Sequence, residues 1–130
     1  MSEIRDLARL LAMLDPALDP QRWRFAAVET APADALMTFE EAEGLCAILP
    51  AGDAPKAFRR ITLRVHSSLD AVGLTAAVSA RLTAIGVPAN VVAALRHDHV
   101  FVPEADAERA LAALQALSAE SALDAGGDAE

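Results

Sequence analysis

The chain has 130 residues, with 19 acidic against 11 basic side chains and a formal net charge of -8. That length suits one compact domain needing no covalent staples, and the charge opposes a phosphate backbone, so nucleic acid is not an expected partner. Cys46 is the single cysteine, which rules out a disulfide within the chain and reads as a small buried hydrophobe in a reducing compartment.

The opening stretch MSEIRDLARLLAMLDP is apolar on one side only and carries Glu3, Arg5, Asp6 and Arg9. It is neither a secretory apolar region nor a membrane span, so the expected location is cytoplasmic. Ile4, Leu7, Ala8, Leu11 and Leu14 recur at helical spacing behind Ser2 as N-cap and before the stop DPALDP, predicting a first helix over 4–14. WRFAAVE, residues 23–29, reads as a strand between Pro20 and the turn-forming TAPAD. ALMTFEE and LCAIL then make a hairpin around Gly44, with a helix at 39–43 as the competing reading. PAGDAP, residues 50–55, is the best internal boundary.

Beyond it, Ile61, Leu63 and Val65 alternate with Thr62, Arg64 and His66, the period of a strand with one face on the core. Leu74, Val78, Leu82 and Ile85 form a helical stripe that Gly86 and Pro88 end. VPANVVAAL and HVFVP read as a second hairpin, joined by Arg96, His97 and Asp98. Glu104 and Asp106 then open a last helix whose stripe is Ala107, Ala110, Leu111, Leu114 and Leu117. After Ser118 the periodicity stops, and the acidic tail with Gly126 and Gly127 is expected to be disordered.

These elements predict an α+β fold of ferredoxin-like tandem half-repeats, with helices on one face of an antiparallel or mixed sheet. The units are 1–54 (helix and three strands) and 55–117 (strand, helix, two strands, helix), followed by a tail at 118–130. The second unit stops one strand short of the ferredoxin-like repeat, and the first lacks an opening strand. The two are therefore expected to complete each other's sheets, within one chain or across a dimer. Val92, Phe101 and Ala94 beside Thr62 and Arg64 also make part of the far sheet face apolar, to be covered by the N-terminal unit or a second chain. Trp23 and Phe25 are the candidates for that packing, with core as their default place.

FRRITLRVHSSLDAVGLTAAVSARL, GVPANVVAALRHDHVFVPEADAERALAALQAL and the earlier MTFEEAEGLCAILP, with its Glu43, Gly44 and Leu45, closely resemble the small bacterial proteins with ACT-like domains. The likeness covers roughly residues 5–117 and extends, more distantly, to the tandem-ACT arginine sensors of animals. It implies a regulatory fold that binds amino acids between modules and works as a dimer or larger assembly. The family's ligand loop, an Asp followed by Gly and Leu after the first strand, matches Asp70, Gly73 and Leu74. It departs at Val72, where the common pattern has proline.

The join between strand and helix therefore holds the candidate ligand site: Ser67, Ser68, Leu69, Asp70, Val72, Gly73 and Leu74. Ser67, Ser68 and Asp70 are good N-cap types, and Ser67 to Asp70 has the spacing of a capping box with Asp in place of Glu. Capping alone explains them, but Gly73 leaves the first helical turn open to a close approach. Free N–H groups and the helix dipole suit a carboxylate at Leu69–Gly73, with Asp70 taking the ammonium.

Three other constellations are weaker. His66, Ser67 and Asp70 supply the residue types of a triad, but strand neighbours point to opposite faces. Cys46 lies in an apolar run without an evident base. His97 and His99 share a strand face, yet two ligands are too few for a metal, and His66 is expected at the opposite end of the sheet. Solvated imidazoles are favoured there, with a metal bridging two chains left open. The overall expectation is a non-catalytic, amino-acid-binding regulatory module, a homodimer without cofactor or membrane contact; the alternative is a structural interaction module with no small ligand.

Overall fold

The computed structural model describes residues 6–128, with side chains through Asp124. Ser2 and Ile4 lie outside them. The chain forms α1 (Leu7–Ala12), β1 (Pro16–Val28), β2 (Met37–Glu41), β3 (Gly44–Pro50), β4 (Phe58–Leu63), α2 (Leu74–Ala84), β5 (Asn90–Ala93), β6 (Asp98–Pro103) and α3 (Ala107–Asp128). Asp6 caps α1, its carboxylate accepting from the Arg9 amide.

All six strands join one antiparallel sheet in the order β2-β3-β1-β4-β6-β5. The fold is α+β and ferredoxin-like, and the strand missing from the second unit comes from upstream. Pro16, Ala17 and Leu18 of β1 pair with Leu63, Thr62 and Ile61 of β4, while Trp23 to Val28 pair with β3. One long strand thus serves both units within a single chain. The DPALDP stretch, expected as a helix stop, is the start of that strand. Leu18 sits inward against Ile61, and this pairing outweighs the turn signal of two Asp-Pro steps.

Between its two halves β1 slips. Leu18 faces Ile61 and Arg22 faces Arg59, so four steps on β1 match two on β4, a bulge that lets one strand change partners. Asp19 organises it: its carboxylate accepts from the Gln21 amide (3.0 Å), Trp23 Nε1 (3.0 Å) and Arg60 Nη2 (3.1 Å), and its carbonyl accepts from Arg59 Nε (2.9 Å). Burial raises the Asp19 pKa, but these hydrogen bonds and the Arg60 charge outweigh it and hold the carboxyl below its ordinary value.

The ALMTFEE region is a strand, as the hairpin reading required, with Phe39 opposite Cys46; the competing helix is absent. Arg22 fastens the PAGDAP loop, donating to the Gly52 and Ala54 carbonyls while its Nε meets Glu104 at 2.6 Å. α1, α2 and α3 pack on the same sheet face, around Leu10, Leu14, Ile61, Leu63, Val78, Leu82, Val100, Val102, Ala110 and Leu114. Each is essentially sealed from solvent.

The expected disorder after Ser118 is corrected by α3, which runs on to Asp128. An alanine-rich sequence favours helix, and tertiary contacts hold this one: Ser118 Oγ donates to the Ala12 carbonyl (3.1 Å), and Arg81 grips Glu120 through two bonds of 3.0 and 2.6 Å. Loss of the apolar stripe had hidden a helix fixed by polar partners. Among the described residues, no helix is long and apolar enough to cross a membrane.

Candidate functional site

Strand β4 ends at Leu63 under the turn that joins α1 to β1. Arg64 N donates to the Asp15 carbonyl and Val65 N to that of Leu14, so the segment leading to α2 leaves the sheet in a fixed direction. Ser67 and Ser68 are buried. Ser68 then makes a tight turn, its Oγ accepting from Asp70 N (3.1 Å) and its carbonyl from Ala71 N (3.0 Å). The expected capping box is therefore absent: Ser68 caps a turn, and α2 begins four residues beyond Asp70 with Gly73 as N-cap and no side-chain cap.

A cavity of about 80 Å³ lies here, lined by Ser67, Ser68, Leu69, Ala71, Leu74, Thr75, Ala93 and Asp98. Four of the seven residues singled out by sequence, Ser67, Ser68, Leu69 and Leu74, line it. Asp70, Val72 and Gly73 do not. Val72 is 84% exposed. Gly73 serves the fold instead: its φ is +101°, and a Cβ there would lie 2.9 Å from Leu7 Cδ2. The space that glycine leaves is filled by the first helix and is closed to a ligand.

Asp98, not Asp70, is the carboxylate of this cavity. It pairs with Ala93 and Leu63 at the start of β6, in step with Val100 and Val102 on the helix-covered face. Burial raises its pKa, partly opposed by the nearby His97 charge. A signal was present in the sequence, since the alternation of DHVFV puts one acid in register with two core valines. Thr75, Ala71 and Ala93 carried no such signal.

The histidines separate differently from expectation. His66 and His97 have ring centroids 6.5 Å apart, so His66 is not at the far end of the sheet from the second hairpin. The β4 and β6 strands are antiparallel neighbours, which brings the end of one beside the start of the other. His99 points to the open sheet face and shares a 3.0 Å hydrogen bond with Thr62 Oγ1. Burial, then the charges of Arg60 and His97, lower its pKa and favour neutral imidazole. No group of three or more metal-ligating side chains occurs among the described residues. Nor does any hydrogen bond join His66 to Ser67 among them. Cys46 is half-buried, not core, with its Sγ 3.7 Å from Glu41.

The far sheet face carries Trp23, Ile48 and Phe101 as a small second core flanked by Met37, Phe58 and Val92. The N-terminal unit extends this sheet edgewise and does not stack on it. Trp23 is buried there, under the Arg60 guanidinium. Phe25, expected as core, is 46% exposed and meets Phe58 and Phe101 edge to face at 5.2 and 5.5 Å.

Models of the ACT domain match residues 2–60 and 58–116, in tandem, across this sheet. The chain belongs to the ACT-domain family. This ACT protein is similar to a Vibrio cholerae protein of unknown function described as a possible transport protein, at 39% identity. The match covers 82% of this chain and 92% of that one, with a TM-score of 0.72. It also shares its fold with an Agrobacterium tumefaciens protein (18% identity, 75% and 84% covered, TM-score 0.63). The ligand-free regulatory subunit of aspartate kinase from Thermus thermophilus shares it too (11% identity, 82% and 97% covered, TM-score 0.59). A comparison with the curated proteins gives no match.

Proposed function

We propose that this ACT protein is a non-catalytic regulatory module that binds a free amino acid in the cavity between the Ser67–Thr75 segment and the β5–β6 hairpin. The observation that carries this reading is the pairing of opposite demands in one small space. The N-cap of α2 is Gly73, which has no side chain to offer the first turn, so the amides and dipole there suit an α-carboxylate. Asp98 lies on the other wall, a carboxylate held in a place that disfavours its charge and that an ammonium would relieve. Ser67 and Ser68 add hydroxyls.

About 80 Å³ is room for a handful of waters. It takes the ammonium–carboxylate head of an amino acid and leaves a large side chain outside. Selectivity then depends on what lies beyond the mouth. The two ACT units, 1–54 and 55–117, share β1, so a ligand at one strand end biases how both pack. The shared fold of the aspartate kinase regulatory subunit from Thermus thermophilus supports a regulatory reading at the level of fold alone.

A thermal-shift screen against the common amino acids tests this. A ligand at a hundred times its Kd raises stability by about 2.7 kcal/mol, and at least one amino acid is expected to do so in wild type and not in Asp98→Asn. No stabilisation by any of them contradicts the reading.

A second reading, an interaction module without small ligand, draws on the open sheet face. Phe25 at 46%, Phe39 at 62% and Leu36 at 39% exposure make an apolar surface of the kind that marks protein contacts. We take its occupant to be a second copy, because a face that meets itself needs no other partner and closes as a two-fold dimer. Sedimentation of wild type against Phe25→Ser with Phe39→Ser tests it: a dimer that becomes a monomer supports the reading, and a wild-type monomer at every concentration contradicts it.

A further inference from the structure

On the opposite side of the same strand ends, Arg64, His66, Arg96 and His97 line an open groove of about 450 Å³. Every one of its lining side chains is basic, in a chain whose net charge is -8. Like charges placed together are unfavourable, and a bound anion relieves that repulsion.

The nearby acids neutralise only part of this cluster. Asp15 pairs with Arg64 alone, through its Oδ1 at 2.7 Å and its carbonyl at 3.3 Å. Asp98 lies near enough to feel the His97 charge, but it lines the other cavity, and burial raises its pKa. Arg96 makes no hydrogen bond or ion pair among the described residues, while the two imidazoles lie side by side with centroids 6.5 Å apart. The Arg96 fork, the Arg64 Nη1 that Asp15 leaves over and two ring N–H donors come together from separate elements: Arg64 and His66 follow β4, and Arg96 and His97 form the β5–β6 turn.

We propose that this groove is a binding site for a small phosphate monoester. Two arginines flanking an imidazole pair repel a metal cation and match a dianion with three acceptor oxygens; guanidinium groups grip such an oxyanion in bidentate fashion. A single carboxylate would leave most of those donors unused. The volume exceeds that of the phosphoryl group itself, so the ester's organic part also fits within it.

The site shares no lining residue with the amino-acid cavity and does not rest on that reading. The test is a titration of the full chain with inorganic phosphate and with glycerol phosphate, followed through amide and imidazole NMR signals. Acetate and chloride at matched ionic strength serve as controls. Saturable shifts centred on Arg64, His66, Arg96 and His97 are expected, weakened about tenfold in Arg96→Gln and again in His97→Gln. Both positions lie in a surface turn, so unchanged melting temperatures show that the variants are folded.

Shifts that never saturate, that acetate reproduces, or that survive both substitutions overturn the proposal. Amino-acid responses at Leu69 to Thr75 are a separate readout. Either site stands or falls without the other.

Discussion

The two faces of the sheet obey different rules. Under the helices Ile61, Leu63, Val78, Leu82, Val100 and Leu114 are sealed from water, and the alternation that buries them is the plain period-two pattern of β4 and β6. On the open face the same strands present Arg60, Thr62, His99 and a buried Phe101, with Thr62 and His99 tied to each other and the neighbouring Phe25 ring half in solvent. The first face fixes the architecture. The second is free to carry contacts, and the chemistry-bearing residues cluster where strands on both faces come to an end.

Sharp differences in mutational cost follow. Leu82→Ala is expected to lose about 2–5 kcal/mol in a chemical denaturation experiment, because a fully buried leucine leaves a cavity. Phe25→Ala on the open face is expected to lose roughly 1–2 kcal/mol, since half of its ring already meets water. Equal losses would erase the distinction between the faces.

Asp19→Ala comes next, at about 1–3 kcal/mol, because Trp23 Nε1 and Arg60 lose their acceptor where β1 changes partners. With the Asp19 pKa lowered in the fold, its contribution is present above the ordinary carboxylate range and is lost as pH falls through the lowered value. Wild type and variant stabilities should therefore converge in acid. A gap that persists there would mean that Asp19 acts by packing alone.

Gly73→Ala is expected to cost roughly 1–2 kcal/mol, from a side chain at positive φ and the displacement of Leu7. Asp98→Asn is the smallest change and has the opposite sign. Its folded pKa is raised, so wild-type stability falls as pH rises from the ordinary carboxylate range through the raised value. The variant should lack that slope and melt higher at neutral pH. A lower melting temperature would show that the carboxylate is structural.

How much of this was legible depended on whether a signal was local. The period-two strand at Ile61, Leu63 and Val65, the helical stripe through Leu74, Val78 and Leu82, and the hairpin at Gly44 are written in neighbouring residues. The role of β1 is not, because Pro16 to Leu18 carry turn-forming residues and become a strand only through pairing with β4. Helix α3 beyond Ser118 is held by Ala12 and Arg81, both remote in sequence. At the site, Ser67, Ser68, Leu69 and Leu74 were readable as a strand–helix join. Asp98 and the meeting of His66 with His97 required the strand order. Gly73 misled, since a missing side chain looks the same in sequence whether a ligand or Leu7 takes the space.

The most direct test of the amino-acid site is a map of backbone amide shifts as amino acids are added to wild type and to Asp98→Asn. Saturable movement of the Ser68, Leu69, Leu74 and Thr75 signals, lost or strongly weakened in the variant, is the result expected. Silence of those four amides with every amino acid, or an identical response in Asp98→Asn, would contradict it.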